Sequence, residues 1–165
     1  MVVVHGTKKF LDRVGGPVPA PEDGSTTALG SWYATVIFWR PQAALFVNER
    51  TLLPVFVGFA PAATLVNRFA AEAARVLAGH GVDPSFVGRE LGEMGEHRLA
   101  KTTNRSVVGI MNEFSFLAGR HRETRGTHDL FELSMRLADT PCGPLYGRNR
   151  SPHRELAAVV GADPG

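Results

Sequence analysis

Apolar residues fall first into short continuous or alternating runs and only later recur at helical spacing, an order that predicts a sheet built early in the chain and helices after it. Met1-Val2-Val3-Val4-His5 reads as a first strand. Thr7 offers an N-cap to a short helix through Lys8, Lys9, Phe10, Leu11 and Val14, which Gly15-Gly16-Pro17 stops. Three aromatic and β-branched runs follow, Trp32 to Trp39, Ala43 to Asn48 and Leu52 to Val57, broken at Arg40-Pro41-Gln42 and Glu49-Arg50-Thr51. Links that short cannot cross a sheet, so neighbouring runs pair as antiparallel hairpins. Pro54, with no N–H to give a ladder, predicts a sheet edge or a bulge.

Pro61 opens a helical stripe of Leu65, Val66, Phe69, Ala73, Val76 and Leu77 that ends at Gly79 and Gly81. Asp83-Pro84 is a cap and first turn for a second helix bearing Phe86, Val87, Glu90, Leu91 and Met94. Glu96 to Thr103 alternates loosely as a further strand, and Val107, Val108, Ile110, Met111, Phe114, Leu117 and Ala118 then share a helix face. Thr127 is read as the cap of another helix, and Ser151-Pro152 starts the last. Residues 15–30, rich in Pro, Gly, Ser and Thr, form a flexible or surface-laid loop that is a candidate lid. The expected fold is α+β and a single domain over residues 1–165: an antiparallel meander sheet of roughly three to five strands, packed against helices mainly on one face.

Composition narrows this picture little. The chain's 165 residues suit one folding unit, and 18 Lys and Arg against 16 Asp and Glu leave a net charge of only +2. Any basic surface must therefore be local. The lone cysteine, Cys142, fits a reducing compartment, and with no secretory leader or membrane-length apolar run the expected location is cytoplasmic.

The chemistry concentrates at Lys101-Thr102-Thr103-Asn104-Arg105-Ser106, where two cations and four small polar residues meet the start of a helix. A helix N-terminus offers unpaired N–H groups and a partial positive charge, so Lys101, Thr103, Asn104, Arg105 and Ser106 form a candidate anion site. Ordinary capping explains Thr103 or Asn104 equally well, whereas cations at a helix start are unfavourable unless a negative group, a ligand or nearby Glu96 or Glu113, offsets them. Asn112 lies about two turns on and shares a face with Arg105. Glu49, at a hairpin tip, and Glu113 are the candidate catalytic carboxylates, each requiring partial burial and a second acid or base to act.

Other chemistries lack a motif. The six histidines show no His-Glu-x-x-His spacing, and the clustered His121, Glu123, His128 and Asp129 read as a solvated turn rather than a metal site. Neither a nucleophile elbow nor a glycine-rich phosphate loop is present, so no nucleotide cofactor of the familiar kinds is expected. Basic residues do recur beside aromatics, with Lys8 and Lys9 near Phe10 and Arg40 beside Trp39, a pairing suited to single-stranded nucleic acid.

Thr7-Lys8-Lys9, Ser31-Trp32-Tyr33-Ala34, Leu45-Phe46-Val47-Asn48-Glu49, Thr51-Leu52-Leu53-Pro54-Val55 and Asn104 to Asn112 together resemble a family of small bacterial proteins known only as a domain of unknown function. The resemblance runs from Val3 to about Arg120, implies a single domain, and brings no activity with it. The residues themselves point to a binding module for a phosphate-bearing partner, nucleic acid foremost. The alternatives are a small phosphate-handling hydrolase or nuclease, and a protein-interaction or antitoxin-like partner without a small ligand.

Overall fold

The three runs between Trp32 and Gly58 form the expected hairpins. In the computed structural model, which describes residues 1–16, 24–145 and 151–161, they are β2 (Trp32–Ile37), β3 (Ala43–Asn48) and β4 (Pro54–Gly58), paired antiparallel in order. β1 (Val2–Gly6) and β5 (His97–Lys101) complete one sheet with the order β4-β3-β2-β1-β5. β1 pairs in parallel with both neighbours, so the sheet is mixed and not a pure meander.

Connection length explains the difference. The link from β1 to β2 contains a helix, α1 (Lys8–Val14), long enough to bring the chain back over the sheet and lay β2 alongside β1 in the same direction. The link from β4 to β5 contains two helices, α2 (Leu65–Gly79) and α3 (Pro84–Glu93), and delivers β5 to the far side of β1. Among the described strands only β3 runs against the rest.

Both faces of the sheet are covered, which corrects the expectation of one helical layer. Phe10 and Leu11 of α1, Phe69 and Leu77 of α2, Phe86 of α3 and Leu156 of α6 (Pro152–Gly161) bury one face with Val4, Trp32 and Phe46. On the other face Val107, Ile110, Met111 and Phe114 of α4 (Arg105–Arg125) pack on Tyr33, Leu45 and Phe56. Strands buried on both sides lose their alternation of apolar and polar residues, and all six residues of β2 are buried.

The edges are treated differently. α5 (Leu130–Leu137) lies along β4, where the Ser134 hydroxyl accepts the Phe56 N–H at 2.9 Å, and Pro54 sits on this edge strand as its missing donor requires. β5, the opposite edge, is short and exposes Arg98 and Lys101, features that discourage pairing with another chain.

Local signals set most helix starts. Asp83 caps α3 by accepting from the Ser85 N–H at 2.8 Å. The cap of α5 is Asp129, which accepts from the Glu132 N–H at 2.8 Å, and not Thr127, which is buried just ahead of it. Of the expected loop, residues 17–23 lie outside the described residues. The rest is pinned, since Leu29 is buried and the N–H groups of Ala28 and Leu29 each donate to the Glu90 carboxylate at 2.8 Å. No helix among the described residues is long and apolar enough to cross a membrane.

Candidate functional site

β1 and β5 end side by side, with Gly6 in register with Lys101. From there the chain departs in opposite directions: β1 feeds α1 on one face of the sheet and β5 feeds α4 on the other. Adjacent parallel strands whose helices leave to opposite faces open a crevice beyond their carboxyl ends, the position at which open α/β sheets hold ligands. Here the crevice is a cleft of about 410 Å³ lined by Gly6, Lys8, Leu11, Asp12, Lys101 and Thr102.

Gly6 is required where the strand turns into α1. A Cβ at this position would lie 2.6 Å from Phe10 Cδ1 and 2.9 Å from Leu11 Cδ2, so only a glycine lets α1 fold back this closely. Lys8 pairs with Asp12 at 3.1 Å across one exposed helical turn. Lys101 is exposed and joins no ion pair among the described residues. Its backbone is held from behind: the His5 ring stacks on Tyr33 at 4.8 Å, and His5 Nδ1 donates to the Lys101 carbonyl at 2.8 Å.

Tyr33 organises the start of α4. Its buried hydroxyl accepts the Asn104 N–H at 2.9 Å and the Thr103 N–H at 3.4 Å, leaving its own proton for Thr103 Oγ1 at 3.1 Å. Asn104 is the N-cap of α4, its side-chain oxygen accepting from Ser106 N at 3.0 Å and Val107 N at 3.3 Å. The N–H groups of Thr103, Asn104, Ser106 and Val107 are thus engaged within the protein, and the exposed residues of the segment are Lys101, Thr103, Arg105 and Ser106, of which Lys101 and Arg105 are cations.

The remaining candidates stand apart. Asn112 and Glu113 are exposed on α4, and Glu113 is about 12 Å along the helix from Arg105. Glu49 is exposed beyond the end of β3, a strand that lies three places from β5, or about 14 Å across the sheet. The working residue of that hairpin is Asn48, which is fully buried. Its amide donates to the Leu29 carbonyl at 3.0 Å, and its oxygen accepts from the N–H groups of Arg50 and Thr51.

Cys142 is buried, and that burial, with a smaller contribution from Glu113, pushes its thiol up to about 11. It is therefore protonated and unreactive at neutral pH. Among the described residues no group of three or more His, Cys, Asp or Glu side chains gathers as a metal site would require.

Gly6, Lys8, Asp12, His5 and Tyr33 join the site only because β1 and β5 are neighbours, and the sequence gives no local sign of that pairing. Thr7, expected from the sequence to cap α1, makes no side-chain cap bond there, and its hydroxyl instead meets the Thr35 hydroxyl at 3.0 Å. A family model described as Domain of unknown function (DUF6933) matches residues 3–155. No curated protein and no solved structure matches the chain.

Proposed function

The chain belongs to the DUF6933 family, a domain of unknown function, and we propose that this member is a binding module for a phosphate-bearing partner. The observation that supports the reading is the crevice beyond β1 and β5, where the unpaired Lys101 stands opposite Lys8. Two lysines lining one open cleft attract a doubly charged anion, and Arg105, exposed at the start of α4 outside the cleft lining, is a planar donor suited to phosphate oxygens within a short distance of chain. Phosphate entering the cleft competes with Asp12 for Lys8, so binding strengthens as that exposed pair opens.

A carboxylate that activates water must reach the bound phosphate. Glu49 and Glu113 sit too far from Lys101 and too openly in solvent for that role, and Asp12, the carboxylate that lines the cleft, is exposed and paired with Lys8, so the reading favoured is binding.

The test is a thermal-shift series with inorganic phosphate, pyrophosphate and a nucleoside monophosphate on wild type, Lys101→Ala and Arg105→Ala. A ligand that prefers the folded state raises the midpoint, and at a hundred times its Kd it adds about 2.7 kcal/mol. The expected outcome is a rise in wild type that Lys101→Ala abolishes and Arg105→Ala reduces. An equal rise in Lys101→Ala would remove the crevice from consideration.

A further inference from the structure

β2 runs on past the end of β1. Their last paired residues are Gly6 and Ala34, while β2 continues to Ile37 and turns at Phe38-Trp39-Arg40. This overhang brings the turn beside the outer side of α1. Phe38 is 53% exposed there, with Lys9 Nζ at 5.4 Å and Arg13 Cζ at 4.8 Å from its ring centre. Lys9 and Arg13 are one helical turn apart, and Arg13 Nη1 donates to the Lys9 carbonyl at 2.9 Å, fixing its guanidinium.

Trp39 points to the other face of the sheet. It stacks on Phe56 at 6.4 Å with an angle of 9° between the rings, and Arg122 from the end of α4 lies over it at 4.0 Å. Arg40, between the two faces, is exposed. Among the described residues none of Lys9, Arg13, Arg40 and Arg122 takes part in an ion pair. Lys9 and Arg13 thus lie over the half-exposed Phe38 ring, Arg122 lies over the half-covered Trp39 ring on the other face, and Arg40 is exposed in the turn, in a protein whose net charge is only +2.

We infer that this turn is a stacking platform for single-stranded nucleic acid, with a base on Phe38 and flanking phosphates on Lys9, Arg13 and Arg40. The complementarity is twofold. Unpaired cations attract a polyanion, and a ring that stays half exposed with Lys9 and Arg13 over it keeps open surface for a base face, which an acidic peptide lacks and a duplex keeps buried within its own stack. The residues are distinct from those lining the crevice, so the platform stands or falls on its own. Lys8 and Lys9 are neighbours on α1, and one strand can follow the helix from crevice to platform.

Fluorescence anisotropy with labelled fifteen-nucleotide oligo(U) and oligo(dT) tests the inference. Wild type is expected to bind in low salt and to weaken steeply as salt rises. Phe38→Ala is expected to lose about tenfold in affinity, and Phe38→Trp, which keeps a stacking face, to restore it. Lys9→Ala with Arg13→Ala is expected to make the salt dependence shallower by about 1.4 in log–log slope, two phosphate contacts being removed from a single strand. Because Phe38 is exposed, its alanine variant should melt with wild type, and Arg13→Glu supplies an independent loss of binding if it does not. Absence of binding by wild type, unchanged affinity in Phe38→Ala, or equal competition by duplex DNA or polyglutamate would each overturn the inference. If Lys101→Ala abolishes the phosphate shift while Phe38→Ala leaves oligonucleotide affinity untouched, the platform fails and the crevice reading survives.

Discussion

Tyr33 shows how much one phenolic oxygen can arrange. It takes the N–H groups of Thr103 and Asn104, orders the Thr103 hydroxyl and supports the His5 ring, so the start of α4 is fixed from beneath. Replacing it with phenylalanine keeps the buried ring and removes the acceptor, leaving the Asn104 N–H without its partner. The expected cost is about 1–3 kcal/mol in urea denaturation, because a donor loses its protein partner without regaining full solvation. A ligand held by Lys101 should weaken in parallel. If Tyr33→Phe unfolds at the wild-type midpoint, the hydroxyl does not hold the turn. The sequence identified Tyr33 as a strand aromatic and Asn104 as a possible cap, and both readings hold. Their meeting, across about seventy positions of chain, has no local signature.

Elements were legible in proportion to how far their stabilising contacts are local. The stripes of α2 and α4, the Asp83 cap and the β2-β3-β4 hairpins arise from residues close in sequence, and they occur where periodicity and turn chemistry predict them. The direction of β1 and β5, and the second helical layer, depend on partners far along the chain, so an antiparallel expectation gave way to a mixed sheet. Gly6 belongs to this scale, since it sets how closely α1 approaches the end of β1. Gly6→Ala pushes a methyl group into Phe10 and Leu11, which are buried and have little room to yield. The expected destabilisation is about 1–3 kcal/mol, with a loss of phosphate response as α1 and Lys8 move away from Lys101. Denaturation together with the thermal-shift series measures both effects, and a fully stable, fully responsive variant would contradict them.

Across the whole molecule, the end of α2 is joined to α6 through two histidines. The Nδ1 atoms of His80 and His153 are 2.9 Å apart at a cleft of about 250 Å³. Burial first, and His153 second, lower the His80 pKa from 6.5 to about 4, with Asp139 opposing. The unfolded chain therefore takes up a proton between pH 6.5 and 4 that the folded protein declines. This contribution to stability is complete above pH 6.5 and is lost as the pH falls toward 4. His80→Gln should flatten the decline in denaturation midpoint over that window, and a variant as steep as wild type would place the pH dependence elsewhere.

The crevice lies at the rim of both hydrophobic layers, and of its lining only Gly6 and Leu11 are buried. Lys8, Asp12, Lys101 and Thr102 are coupled to scaffold stability only weakly, because exposed side chains and surface pairs contribute little to it. On the proposed reading, selection can therefore rewrite what the cleft would recognise without renegotiating how the chain folds. Two chains of this architecture that keep the same buried residues and differ at these four positions would then present different clefts on one scaffold.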